Sequence, residues 1–223
     1  MKFNHLLIIP LFFIYSSLLS QSSSNKVGNW YMYNGSHKVS EKWKIQTMAH
    51  FRYYELSTNF QQEIYRLAAN YSLHKKLNFS LGYSYVTTDF LFGDGTANVF
   101  ENRIYEDINY SNFLNKLKLR HRFRFEHRFI KANTINSESH WFRYDLNANY
   151  PISKNWSIYA FNEIFLNMDK SKRFVQNWTG FGFLHQLNKN LKLNLGYLNI
   201  KLPDENQKRI LLGIILNTNH SKK

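Results

Sequence analysis

The sequence predicts an all-β protein, a closed antiparallel up-and-down transmembrane β-barrel of about 10–12 strands. Long segments alternate apolar and polar residues with a period of two, their connections alternate between short and longer, and an apolar segment stands at the N-terminus. Period-two alternation gives a strand one apolar and one polar face, whereas it would scatter charge around a helix. A chain of 223 residues is long enough for one such domain.

The first element is a signal-peptide candidate at residues 1–20. Lys2 supplies a positive charge, and residues 6–19 form an almost unbroken apolar run that is too short for a comfortable membrane span. We expect cleavage near Ser20 or Gln21, which leaves residues 21–223 as the barrel. An uncleaved anchor helix is the alternative. No later stretch of about 18 apolar residues offers a transmembrane helix.

Eleven segments of the remaining chain have the alternation of a strand. In the clearest one, Phe123 and Phe125 share a face that is opposite to that of Arg122 and Arg124. Many of the segments reach the roughly 9–11 residues that a tilted strand needs to cross a bilayer. The candidate strands are residues 27–38, 43–54, 60–73, 77–85, 102–114, 116–129, 140–150, 156–165, 174–187, 191–197 and 209–217.

The connections between these segments alternate in length, as periplasmic turns and extracellular loops do in outer-membrane barrels. Trp43 and Trp156 each follow a short connection, where an interfacial aromatic girdle is expected. The short connections lie near residues 40–42, 74–76, 115, 153–155 and 188–190. The longer ones lie near residues 55–59, 89–99, 131–139, 167–173 and 203–207.

The odd number of candidate strands conflicts with the even counts of bacterial single-chain barrels. We therefore expect that one strand is split or missed, near residues 27–36 or 89–99. A soluble β-sandwich or lipocalin-like barrel is the alternative fold, because alternation alone does not say which face is inside. The N-terminal segment, the strand lengths and the two kinds of connection favour the membrane barrel.

Composition narrows the possible functions. The absence of cysteine excludes disulfides, thiolate metal sites and a cysteine nucleophile. A net charge of +14 with 17% aromatic residues first suggests nucleic-acid binding. The densest basic run, however, alternates with bulky apolar residues along one strand, so a barrel would enclose it. We therefore expect no nucleic-acid partner.

The order and spacing of several short stretches resemble the uncharacterised bacterial envelope proteins grouped as domain of unknown function 2490. The stretches are residues 28–33 (GNWYMY), 101–104 (ENRI), 122–129 (RFRFEHRF), 161–165 (FNEIF) and 195–197 (LGY). This resemblance covers essentially the whole chain after residue 20. It implies an outer-membrane barrel and carries no established activity.

The predicted location is the outer membrane of a Gram-negative bacterium. The expected partners are the lipid bilayer, lipopolysaccharide and the outer-membrane assembly machinery, and we expect a monomer. The favoured function is a structural or envelope-associated role, and no cofactor is predicted.

In a membrane barrel the charged face of each strand points into the lumen. The predicted lumen-lining residues are Arg103, Arg120, Arg122, Arg124, Glu126, Arg128, Arg143, Asp145 and Glu163. Further candidates are Arg52, Glu63, Arg66, Tyr105, Asp107 and Trp141. Two interpretations stay open. Arg–carboxylate pairs are a good filling for a narrow barrel, and a positive ring could instead form a narrow channel or a binding site for small anionic or polar solutes.

A lipid-modifying enzyme is the second alternative. It would need a nucleophile and a base close together near one rim. Ser139 with His140, and the outward-facing His121 and His127, are the available residues. The sequence contains no Gly-x-Ser-x-Gly and no His-Glu-x-x-His motif. We therefore predict no catalytic residues and no metal site.

Overall fold

The computed structural model describes residues 27–89, 99–132 and 135–221, and all of its regular structure is β-strand. The predicted signal peptide lies outside the described residues. Within them there is no helix long and apolar enough to cross a lipid bilayer. The strands are β1 (Val27–Lys38), β2 (Trp43–Glu55), β3 (Thr58–His74), β4 (Leu77–Thr88), β5 (Val99–Leu114), β6 (Leu117–Ala132), β7 (Ile135–Pro151), β8 (Trp156–Asn167), β9 (Phe174–Gln186), β10 (Leu191–Lys201) and β11 (Asn206–Asn219).

The eleven strands form a closed barrel in which consecutive strands pair antiparallel. The ring closes between β1 and β11, which are parallel, with Val27 opposite Lys208 and Lys38 opposite Asn219. An odd number of up-and-down strands leaves the first and the last pointing the same way, so this seam must be parallel. The predicted barrel and its strand range are confirmed. The expected split or missed strand is not found among the described residues, because β1 meets β11 directly.

One rim of the barrel, which we call the short-turn rim, carries the connections at residues 39–42, 75–76, 115–116, 152–155 and 187–190. The connections on the opposite rim are less uniform than predicted. Residues 168–173 form a longer one, but residues 56–57 form a tight turn, and most of the loop predicted at 131–139 is strand. Lys131 pairs with Asn136 in the ladder between β6 and β7. Backbone hydrogen bonds thus extend these strands beyond the residues whose side chains alternate. A strand predicted from alternation alone is therefore too short.

The two faces of the barrel differ in polarity. On the outside, Leu67, Phe125 and Leu195 are about half exposed, at 57%, 48% and 54%. On the inside, Arg124 and Glu126 are buried, at 2% and 1% exposure. A soluble barrel has the reverse arrangement, with its apolar face inward. The structure therefore shows that the polar face of each strand points into the barrel, which alternation alone does not say.

The two tryptophans that were expected to begin strands after short turns lie on the outer wall at the short-turn rim. Trp43 and Trp156 are 46% and 45% exposed. The Trp43 ring packs on Tyr71, with 4.8 Å between centroids, and the Trp156 ring packs on His185 at 4.3 Å. Both therefore present a large aromatic surface at one level of the outer wall.

A glycine on β4 makes room for one of the largest side chains in the lumen. Gly82 faces inward opposite Tyr105 of β5, and a Cβ added to Gly82 would collide with the Tyr105 ring. We predict that Gly82→Ala lowers the free energy of unfolding by about 1–3 kcal/mol, because overpacking forces a buried ring to move. Urea unfolding of the refolded protein in detergent measures it.

Gly213→Ala on β11 is the matched control for this substitution. Its added Cβ would have its nearest neighbours, Asn194 Cβ and the Met32 carbonyl oxygen, at 3.3 Å. We expect a smaller loss there, and equal losses in the two variants would contradict the packing argument.

Candidate functional site

The structure places all nine predicted lumen residues on the inner face of the barrel. They come from four consecutive strands, β5 to β8, and most are buried or nearly so. Arg120 is the most accessible, with 42% of its side chain exposed, because it lies towards the short-turn rim. Each of the nine takes part in at least one ion pair. All nine therefore lie on the lumen-lining face, and their role in binding a solute stays a prediction.

Glu126 is the centre of the ion-pair network. Arg143 donates to Glu126 Oε1 from Nη1 at 2.8 Å, and Arg124 Nη1 lies 3.5 Å from the same oxygen. Arg66 of β3 approaches this oxygen to 3.9 Å from across the lumen. One fully buried carboxylate thus joins arginines of β3, β6 and β7.

The other carboxylates of the network each hold one or two arginines. Asp107 accepts a bidentate pair from Arg124, with Nε–Oδ1 2.6 Å and Nη2–Oδ2 2.7 Å. Glu163 accepts from Arg122 at 2.7 Å and from Arg143 Nε at 2.8 Å. These fork-shaped contacts are the geometry in which arginine satisfies carboxylates away from water.

Two further carboxylates complete the network. Asp145 accepts from Arg120 at 2.9 Å. Glu101 pairs with both Arg103 and Arg128. Glu101 was missed as a lumen residue, although it shares the parity of Arg103 on β5, and that parity was the available signal.

Cations outnumber carboxylates in this network. Among the described residues it contains seven arginines and five carboxylates. Arg52 of β2 adds another buried cation, and no described carboxylate lies within 4.0 Å of it. Its guanidinium carbon instead lies 3.8 Å from the centre of the Trp30 ring and 5.4 Å from that of Trp178. Cation–π contact and a 2.8 Å hydrogen bond to Gln62 take the place of an ion pair.

Aromatic side chains fill the rest of this cross-section. The Trp30 and Trp178 rings meet edge to face at 5.1 Å, and Trp178 packs on Phe165 at 4.6 Å. Arg143 lies 4.2 Å over the Phe165 ring and so joins the aromatic side chains to the network. Sequence reasoning missed Trp30 and Trp178, because their contacts cross the lumen between strands that are not neighbours.

Together, the network and these rings form a closed layer across the lumen. Trp30, Arg124, Tyr105, Phe165 and Leu198 each expose 3% or less of their surface. Apolar residues of β10 and β11, including Ile200 and Leu211, pack against Trp30 and complete the layer. Side chains from opposite walls therefore meet at this level.

One candidate lumen residue was placed on the wrong face. Glu63 points outward, where the hydroxyls of Tyr65 and Thr87 donate to it. Tyr65 and Leu67 have the same parity as Glu63 and are exposed on the outer wall. Arg66, with the opposite parity, is the β3 residue that enters the network.

The candidate enzyme residues Ser139 and His140 both contact the Asp169 carboxylate. The Ser139 hydroxyl accepts hydrogen bonds from Trp141 and Asn167, and no Ser139–His140 hydrogen bond is found among the described residues. His140 contacts Asp169 in the β8–β9 connection, with Nδ1–Oδ1 2.9 Å. The His140 backbone amide also donates to this carboxylate at 2.6 Å, and these hydrogen bonds lower the pKa of Asp169.

The two outward-facing candidate histidines contact a tyrosine hydroxyl and a carboxylate. His121 Nδ1 lies 2.9 Å from the Tyr144 hydroxyl, and His127 Nε2 lies 3.4 Å from Glu106. The described residues contain no cluster of three or more His, Asp or Glu side chains arranged to hold a metal ion.

Comparison with known proteins bears on the fold. A family profile described as a protein of unknown function (DUF2490) matches residues 27–210. No functionally curated protein matches the chain. Similar solved structures include the NanC porin, at 11% identity and a TM-score of 0.51, over 78% of this chain and 86% of that one. An anion-selective porin from Comamonas acidovorans has 17% identity and a TM-score of 0.37, over 80% of this chain and 55% of that one.

The central carboxylate offers a test of the network. We predict that Glu126→Gln lowers the free energy of unfolding by about 3–5 kcal/mol, because three buried arginines lose their shared negative charge while the side-chain volume is kept. Urea unfolding of the refolded protein measures it. Glu41→Gln, at the exposed Lys38–Glu41 pair, is the control, with an expected change within about 1 kcal/mol. A Glu126→Gln protein as stable as this control would show that the network is not structurally important.

Proposed function

The chain belongs to the DUF2490 family, and we propose that it is an outer-membrane β-barrel with a structural or envelope-associated role, whose lumen is a packed core and not an open pore. The main observation that supports this proposal is the closed layer of side chains across the lumen. Arg52 and Arg143, from opposite walls, both contact Trp178 in the middle of the lumen. A solute would have to displace these side chains to pass.

The outer wall supports a membrane location. A closed barrel pairs its strands all round and so leaves no open edge of backbone groups to hydrocarbon. Its exposed leucines and phenylalanines suit lipid, and Trp43 and Trp156 suit the interface at one rim. Strands β3 and β7, with 17 residues each, are longer than the roughly 9–11 residues needed to cross. Without a free edge the barrel is expected to be a monomer, in contact with lipopolysaccharide and delivered by the assembly machinery.

A narrow channel for small anions is the second candidate. The surplus of arginines over carboxylates in the lumen favours it, since a positive constriction attracts anions. In this chain, conduction would require the Trp30–Trp178 contact to open.

Ion conductance separates the two candidates. We predict that the purified mature protein gives no current steps in a planar bilayer at any voltage. The double variant Trp30→Ala/Trp178→Ala is expected to give steps, because it removes both rings that fill the layer. The double variant Trp43→Ala/Trp156→Ala, which removes two rings of the outer wall, is the control and should stay silent. Steps from the unaltered protein would favour the channel.

Cell fractionation tests the location. We predict that the mature protein is recovered in the outer-membrane fraction and is released only by detergent, and that its N-terminus lies near Gln21. Recovery in the soluble periplasmic fraction without detergent would refute the membrane barrel.

A further inference from the structure

The lumen between the closed layer and the short-turn rim has a different chemistry, and we call this part the vestibule. Its walls carry amide side chains, among them Gln46, Asn109, Asn147 and Asn149. These side chains point inward and are only half-buried. Since an inward-pointing side chain can be exposed only to space inside the barrel, solvent reaches the vestibule from the short-turn rim.

Three lysines enter the vestibule from widely separated strands. Lys44 lies on β2, Lys118 on β6 and Lys192 on β10. Around the ring of eleven strands they are four, four and three strands apart, which is nearly even spacing. Lys118 lies within electrostatic range of Lys44, Lys192 and Arg120. Strands so far apart can bring these groups together only through the lumen, so the ammonium groups converge.

These lysines differ from the seven arginines of the ion-pair network because they have no acidic partner. Among the described residues no carboxylate lies within 4.0 Å of Lys44, Lys118 or Lys192. The carboxylates nearest this end of the lumen are engaged elsewhere: Asp107 with Arg124, Asp145 with Arg120, and Glu41 with Lys38. Converging cations without a counter-charge repel one another, and a bound polyvalent anion would relieve that repulsion.

Neutral hydrogen-bond donors stand beside the lysines. Asn194 lies two residues after Lys192 and shares its face of β10. The Tyr159 hydroxyl donates to Asn194 Oδ1 at 2.8 Å, which fixes the amide and leaves its Nδ2 to donate to a ligand. Lysines act as flexible point charges suited to phosphate groups, whereas planar carboxylates are better matched by the arginine fork.

We propose that the vestibule is a binding site for a small polyvalent phosphate compound that enters from the short-turn rim. Lys44, Lys118 and Lys192 supply the charge, and Asn194 supplies a neutral donor. If the short turns face the periplasm, as in outer-membrane barrels, the ligand is a periplasmic solute. The site needs only the geometry of the vestibule, so it does not depend on whether the closed layer conducts.

The test is calorimetric titration of the refolded mature protein with inorganic pyrophosphate at fixed ionic strength. We expect saturable binding. Lys118→Gln and Lys192→Gln should each weaken it about tenfold, the usual effect of losing one charged hydrogen-bond donor. Lys131→Gln and Lys201→Gln, on the same two strands but outside the vestibule, are the matched controls and should bind as the unaltered protein does.

Thermal unfolding without ligand gives a second, independent readout. Removing one of three mutually repelling charges should raise the unfolding midpoint of Lys118→Gln, whereas a purely structural lysine would lower it. Equal pyrophosphate binding by the unaltered protein and both vestibule variants would overturn the proposal. Tighter binding of citrate than of pyrophosphate would overturn the assignment to phosphate. Heat-modified migration on gels confirms that each variant is folded.

Discussion

Every other feature of this molecule depends on the closure of its sheet. The parallel ladder between β1 and β11 runs the full length of β1, from Val27 to Lys38. Without it the sheet would have two free edges, and neither face would be an interior. Closure turns the polar face of each strand into a wall of one narrow space, and it leaves the apolar faces as the only surface towards the surroundings.

The narrowness of this space explains why the buried arginines are paired with carboxylates or stacked on aromatic rings. Side chains from opposite walls meet, so a charge on β3 must find its partner on β6, as Arg66 does with Glu126. Burying several arginines is costly unless each is paired or stacked on a ring, and the observed layer uses both solutions. Towards the short-turn rim the inward-facing side chains stay partly accessible, and Lys44, Lys118 and Lys192 have no carboxylate within 4.0 Å among the described residues.

Many of the residues that point into the lumen could be predicted from the sequence, because the parity of a residue on its strand is a local property. Parity alone assigned Arg103, Arg143 and Glu163 to the interior. Parity did not predict the features that depend on contacts between residues far apart in the sequence. The parallel seam is fixed by the whole ring. Trp30 and Trp178 meet because β1 and β9, which are three strands apart in the ring, both direct these side chains into the narrow lumen. The convergence of the three lysines depends on the number of strands in the closed ring, and the sequence of a single strand does not reveal that number.

The odd number of strands also sets the direction in which the chain leaves the barrel. β1 and β11 run in parallel, so Val27 and Asn219 lie at opposite rims. In a barrel with an even count both would emerge on the same side. A barrel of this design therefore has the start of its first strand and the end of its last strand at opposite rims, and the gain or loss of one strand would move one of these ends to the other rim.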